Sequence, residues 1–268
     1  MLVDSHCHLD AGEFDRDRDQ VVARARAAGV VRQVVPAIHA AGWPKLRGIC
    51  AGTDGLFPAY GLHPMFLTEH RPEHLAQLRD WIERERPIAV GECGLDYFVE
   101  GLDHDAQQRY FEGQLALARE HDLPVIVHAR RAVDAVIASI RRVGKLRGVV
   151  HSWSGSRQQA EQLWELGFLL GIGGPVTYQR ANRLRKLVAD MPIEHLLLET
   201  DAPDQPDSAI QGQRNEPARL RAVCETVAEL RGISPEEVAR ATTGNAERLF
   251  GFPPDLPSEA PPRPGDAP

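Results

Sequence analysis

The 268-residue chain is long enough for one large domain, and its 43% hydrophobic and 26% charged residues exclude a disordered or fibrous protein. A formal net charge of −7 excludes a surface coated in basic residues, so a polyanion would have to be met locally, for example by bound divalent cations. The cysteines Cys7, Cys50, Cys93 and Cys224 show no Cys-x-x-Cys spacing, which excludes a disulfide framework or zinc ribbon and reads as reduced thiols.

In chain order, short apolar runs alternate with longer amphipathic stretches. The runs are Leu2–His6, Arg32–Ala37, Phe57–Gly61, Ile88–Gly91, Pro124–His128, Gly148–His151, Phe168–Gly171 and Leu196–Thr200. None alternates strictly apolar with polar, as expected of parallel strands covered on both faces. Helix signals fall between them. Arg71-Pro72-Glu73 opens a periodic stretch through Arg86, and a second runs from Asp103 to His121, before Pro124. Ser234-Pro235-Glu236-Glu237 combines an N-cap serine, a proline at N1 and a capping-box glutamate, and its helix ends near Phe250-Gly251. Eight βα units predict an α/β fold, a (β/α)₈ TIM barrel of the metal-dependent hydrolase type, as a single domain over residues 1–252. Residues 253–268 read as a Pro-rich flexible tail. A strand beginning at Leu2 leaves no room for a secretory leader, and no apolar run spans a bilayer, so a cytoplasmic location with no membrane contact is expected. No protein partner is predicted.

A TIM barrel carries its chemistry at the carboxyl ends of its strands. There the chain places His6-Cys7-His8, His63-Pro64, Gly91-Glu92-Cys93-Gly94, His128, His151 and Glu199-Thr200-Asp201. His6 and His8 are two apart, so they share one face of a strand while Cys7 points away. His6, His8, His128 and His151 offer neutral nitrogens, and Glu92 and Asp201 offer anionic oxygens. Six donors overfill one tetrahedral site and point to two divalent cations, with Glu92 able to bridge them. Such imidazole-rich sites favour zinc or manganese over magnesium.

The same motifs in the same order make the chain resemble the TatD family of metal-dependent DNases. The resemblance rests on Val3-Asp4-Ser5-His6-Cys7-His8-Leu9-Asp10, Gly91 to Tyr97, Pro124 to His128, Val150-His151, Leu198 to Pro203, Arg214-Asn215-Glu216-Pro217 and Asn245 to Phe250. It implies a binuclear centre with His6, His8, Glu92, His128, His151 and Asp201 as ligands. Glu92, Asp201 and His63 would take catalytic roles, with His63 on the substrate side. It also implies hydrolysis of DNA or another phosphodiester, 3′-5′ exonuclease-like. Ala129, Ser152-Trp153 and Asp204-Gln205 depart from many members and look closer to the YjjV-type branch.

Arg130 and Arg214 are the candidate substrate-binding arginines, with Arg131, Arg157 and Arg180 also following strands towards the mouth. Trp153 reads either as a base-stacking residue or as a packed one, His39 as a loop residue, and His70, His74, His104, His121 and His195 as solvated helix surface. Two other readings stand beside the nuclease. One is an amidohydrolase-like enzyme acting on a small ester or amide or on D-aminoacyl-tRNA, although Glu92 stands where that group usually has a carbamylated lysine. The other is a non-catalytic metal-binding scaffold.

Overall fold

The computed structural model describes residues 1–253. Eight parallel strands pair in sequence order: β1 (Leu2–Asp4), β2 (Val30–Pro36), β3 (Leu56–Tyr60), β4 (Ala89–Asp96), β5 (Val125–Arg130), β6 (Gly148–Val150), β7 (Phe168–Ile172) and β8 (Leu196–Leu198). Between them run α1 (Arg18–Ala27), α2 (Trp43–Ala51), α3 (Glu73–Glu85), α4 (His104–Glu120), α5 (Val133–Val143), α6 (Arg157–Glu165) and α7 (Asn182–Asp190), followed by α8 (Leu220–Arg231) and α9 (Pro235–Phe250). The seam between β8 and β1 is closed by single hydrogen bonds: Ser5 N donates to the Leu198 carbonyl at 3.0 Å and Asp201 N to the His6 carbonyl at 2.8 Å. The fold is a (β/α)₈ barrel. The predicted tail lies outside the described residues apart from Pro253.

Each apolar run anticipated as a strand overlaps one. The largest difference is β4, which continues past Gly91 to Asp96, with its register against β5 shifting between Val90 and Cys93. Glycine usually marks a strand's end, but here Gly94 serves a close approach: its φ is +146°, and a Cβ there would collide with the His128 carbonyl. Glu92 therefore sits inside a strand rather than at its tip.

Two apolar clusters follow from side chains alternating across the sheet. Val3, Val34, Ala59, Ala89, Ile126, Val149 and Leu197 come from seven strands and pack together with Ala246, Leu249 and Phe250 of α9. That set fills the barrel interior, with α9 against one end of it. The larger cluster, including Phe14, Tyr60, Phe111, Leu115 and Phe168, lies between sheet and helices. Helix α9 has the full predicted capping box, Ser234 and Glu237 each bonding the other's backbone N–H. Asn245 explains much of the Asn-Ala-Glu-Arg-Leu-Phe motif, since its Nδ2 donates to the carbonyls of Ile193 at 2.7 Å and Leu196 at 2.8 Å, tying α9 to the start of β8.

Phe111 is fully buried on the inner face of α4. Phe111→Ala is expected to destabilise the protein by about 3–5 kcal/mol through lost burial and a residual cavity, read as a lower urea midpoint; a change below about 1 kcal/mol would mean the helix layer is not packed as described.

Candidate metal centre

The centre is organised around one carboxylate. Glu92 is 1% exposed, and each of its oxygens faces a different group of imidazoles. Oε2 lies 3.2 Å from His6 Nε2 and 3.4 Å from His8 Nε2. Oε1 lies 2.8 Å from His151 Nε2, 2.9 Å from His63 Nε2 and 3.1 Å from His128 Nδ1. Asp201 completes the first group, its Oδ1 standing 3.5 Å from His6 Nε2 and 3.6 Å from His8 Nε2. With 3.1 Å between the two Nε2 atoms, this group has the spacing of a tetrahedral shell, whose edges are about 3.4 Å for bonds of about 2.1 Å. The donors present thus fit a divalent transition-metal ion. The second group, His63, His128 and His151 on Oε1, offers nitrogen donors at similar spacing, His128 Nδ1 and His151 Nε2 being 3.3 Å apart.

All six predicted ligands converge, and His63 stands beside them, its Nε2 close to Glu92 Oε1 while it also lines the cavity above the centre. His63 begins a short 3-10 helix over Pro64–Glu69, and its Nδ1 accepts from Met65 N at 3.1 Å, which turns Nε2 inward. Cys7 points the other way into the apolar layer, as the two-residue spacing of His6 and His8 requires.

Several positioning residues were not legible beforehand. Buried Gln107 and Gln114 lie seven apart on one face of α4. Gln114 accepts from Leu62 N at 2.7 Å and donates to its carbonyl at 3.1 Å, holding the loop that carries His63. Gln107 does the same for Asp96, at 2.8 and 2.9 Å. Asp96 Oδ2 in turn lies 2.9 Å from His128 Nε2, leaving Nδ1 to face Glu92. Asp4 bridges the barrel seam, accepting from Thr200 Oγ1 at 2.6 Å and Thr200 N at 3.0 Å, which fixes Asp201 relative to His6. Asn215 donates to the carbonyls of Thr200 at 2.9 Å and Asp204 at 2.8 Å, so the Arg-Asn-Glu-Pro segment braces the Asp201 loop. The hint was available, because Asp4, Asp96, Thr200 and Asn215 all stand inside the motifs.

Electrostatics follow from packing so many ionisable groups out of water. Burial alone would push the Glu92 carboxyl up, but the imidazoles, His63 and His151 foremost, hold it well below the usual carboxylate range. Burial drives His63 down to about 4 and His6 down as well, with repulsion from His151 adding to the latter. Burial also opposes charge on His8 and His151, but Glu92 prevails and raises them to about 9 and about 10. Desolvation pushes Asp201 up, Asp4 to about 7 and Glu199 to about 8. Glu199 is fully buried behind His151, accepting from Ser152 N while its second oxygen has no partner among the described residues.

The family model described as "TatD related DNase" matches residues 3–251. The chain belongs to the TatD related DNase family. An Escherichia coli relative named an uncharacterised metal-dependent hydrolase, YjjV, is 41% identical over 255 residues, covering 94% of this chain and 98% of its own. Its crystal structure superposes with a TM-score of 0.90 at 40% identity over the same shares. A Bacillus subtilis relative, YabD, also named an uncharacterised metal-dependent hydrolase, is 36% identical over 93% of this chain and 99% of its own. A Klebsiella pneumoniae relative named "3'-5' ssDNA/RNA exonuclease TatD" is 34% identical over 94% and 98%. This TatD-family chain is thereby a metal-dependent hydrolase.

Around the centre of the TatD-family barrel lies a cavity of about 800 Å³, lined by His8, His63, Glu92, His128, His151 and Asp201 and by Arg130 from the end of β5. Arg214 is elsewhere: its guanidinium holds both oxygens of Asp17, at 2.8 and 2.7 Å, and lies over the Phe14 ring. That pairing leaves it no part in the cavity lining. Trp153 is 3% exposed and packed in the apolar layer, which removes the base-stacking alternative. His70 corrects the surface expectation, being 8% exposed with Nε2 at 2.8 Å from the His63 carbonyl. His39 is a loop residue, as read, its Nδ1 accepting from Gly42 N. No helix among the described residues is long and apolar enough to cross a membrane.

Gly171 of β7 abuts the Glu199 carboxylate, and a Cβ there would also lie 3.0 Å from His151 Cα. Gly171→Ala is expected to cost about 1–3 kcal/mol by overpacking and to move the His151 side-chain resonances; an unchanged melting temperature and unchanged histidine spectrum would contradict the contact.

Proposed function

We propose that this protein is a phosphodiesterase acting on nucleic acid, a DNase of 3′-5′ exonuclease character, with a binuclear centre. The observation that carries the reading is the splitting of the Glu92 carboxylate between two imidazole groups, the arrangement of a bridging ligand. His6, His8 and Asp201 would hold one cation with Oε2, and His128 and His151, with His63 beside them, a second with Oε1. Zinc or manganese suits so many nitrogen donors better than magnesium. When bound, such a pair supplies Lewis acidity towards a phosphoryl oxygen and lowers the pKa of a water molecule. The Klebsiella relative's name supports the choice of nucleic acid over a small ester, amide or D-aminoacyl-tRNA.

The chain's own residues divide the remaining work. Asp201 lies at the cavity wall, 8% exposed, and its raised pKa suits a carboxylate that accepts a proton from an attacking water. Gln205 Nε2 donates to its Oδ2 and holds that orientation. Asp96 behind His128 fixes which ring nitrogen faces the centre, the role carboxylates commonly play behind metal-ligating imidazoles. Arg130, at the cavity wall, is placed to bind a substrate phosphate. The openness of that cavity to solvent-side residues favours an enzyme over a metal-holding scaffold, whose ligand shell would be closed.

Glu92→Gln is expected to lower the bound metal from two equivalents per chain and to cut turnover of single-stranded DNA by more than about 100-fold, beyond the loss usual for residues outside the ligand set, with far-ultraviolet circular dichroism unchanged. Elemental analysis and a panel of single-stranded DNA, a small phosphodiester and D-aminoacyl-tRNA check this. Wild-type turnover in the variant would defeat the reading, and cleavage of the aminoacyl ester alone would replace it.

Metal uptake should also be proton-linked. The pKa values of His8 and His151, about 9 and about 10, lie above neutrality, so metal-free protein carries protons there at pH 7.5 that a cation must displace. Affinity should therefore fall as pH falls. Titration calorimetry in buffers of different ionisation enthalpy is expected to show release of about two protons per chain; a heat independent of the buffer would refute the linkage.

A further inference from the structure

Beside the metal centre lies a second cavity, of about 630 Å³, lined by Arg131, Arg183 and Ser154 among others. Ser154 also lines the cavity over the metal centre, so the two adjoin. Arg130 faces one and Arg131 the other. Both guanidinium groups lie over the exposed Phe98 ring, 3.6 and 4.7 Å from its centroid. Two like charges are thereby held against one aromatic side chain, an arrangement that a shared anion would stabilise.

Like Arg109, Arg141 and several others, these arginines have no acidic partner among the described residues; what distinguishes them is their place at the two adjoining cavities. Arg24, Arg147, Arg214 and Arg219 each hold a carboxylate at 2.5–2.7 Å, whereas Arg130, Arg131 and Arg183 hold none among the described residues. Arg183 is steadied instead by donating to the Ser154 carbonyl at 3.3 Å. The one carboxylate among the residues lining this cavity, Asp134, accepts from Gln159 Nε2 at 2.8 Å. By contrast the metal cavity is rimmed by Asp10, Glu13 and Asp204. An anion extending from the metal centre towards Arg131 and Arg183 therefore meets favourable charge, whereas one extending towards Asp10, Glu13 and Asp204 meets carboxylates. Arg131 is placed there by a backbone turn directly after β5, with φ at +54°, a conformation that long side chains adopt rarely.

We propose that the Arg131–Arg183 cavity takes a second, uncleaved phosphate of a single-stranded oligonucleotide whose scissile phosphate sits at the metal centre. This rests on the phosphodiesterase reading above and deepens it: the preferred substrate has at least two phosphates, and a mononucleotide or small diester leaves this cavity unused.

The test uses the metal-loaded full chain and two variants at exposed positions, Arg131→Asn, chosen because asparagine tolerates a positive φ, and Arg183→Gln, alone and combined. Binding of a fluorescein-labelled phosphorothioate octamer, as DNA and as RNA, is followed by anisotropy between 50 and 300 mM salt. The double variant is expected to bind the octamer at least about tenfold more weakly and to lose about 0.7 from the logarithmic salt slope, the value for one phosphate on a single strand. Hydrolysis of bis(p-nitrophenyl) phosphate should stay at the wild-type rate. Unchanged octamer affinity and slope overturn the subsite, and so does an equal loss on the small diester, which would make the arginines supports of the metal centre. If the wild type cleaves no phosphodiester yet binds the octamer through these arginines, the subsite stands and the catalytic reading falls. If it cleaves the small diester while octamer binding ignores the arginines, the reverse holds.

Discussion

A carboxylate buried to 1% exposure amid five imidazoles is the constraint from which the rest of the site follows. An ionised carboxylate in an apolar interior is costly unless surrounding charge and hydrogen bonds offset the lost hydration. At Glu92 the offset comes from His6 and His8 after β1, His63 after β3, His128 on β5 and His151 after β6. These residues are far apart in sequence, so the barrel must be closed before Glu92 is compensated. The same geometry turns its two oxygens towards two different groups of imidazoles.

Convergence of long-range residues demands rigid placement, and the buried polar network supplies it. Asp4 locks Thr200 across the β1–β8 seam, where no continuous ladder does so. Gln107 and Gln114 turn α4 into a rack that holds two loops by their backbones. Asn215 performs the equivalent task for the loop after β8. Each replaces hydrogen bonds to water by bonds within the protein, so the net gain per bond is modest, while leaving one buried partner unsatisfied would be expensive. These residues act on chemistry only through the side chains they position.

The acidic overall balance and the proposed polyanionic substrate are reconciled by location. Surface arginines such as Arg24 and Arg214 are consumed by carboxylates, and the latter holds α1 against the segment after β8. Where β5 hands over to α5, Arg130 and Arg131 lie together over Phe98, next to the candidate metal centre. Net charge describes solubility and steering at long range, whereas contact with phosphate is decided within a few ångströms, inside a Debye length.

Much of this protein was legible in its residues alone. Periodicity marked the strands and several helices, because burial on both faces leaves an uninterrupted apolar run and a capping box leaves its own signature at Ser234. The His-x-His spacing also determined that His6 and His8 share a face and that Cys7 does not, since alternation along an extended chain is a local property. What only the tertiary structure decided are matters of distance between segments. The placement of the His63 loop by Gln114, the burial of Trp153, the capture of Arg214 by Asp17 and the continuation of β4 through Gly91 each depend on neighbours tens or hundreds of residues away. Local sequence can say which side chains are suited to a site; closure of the barrel determines which of them arrive.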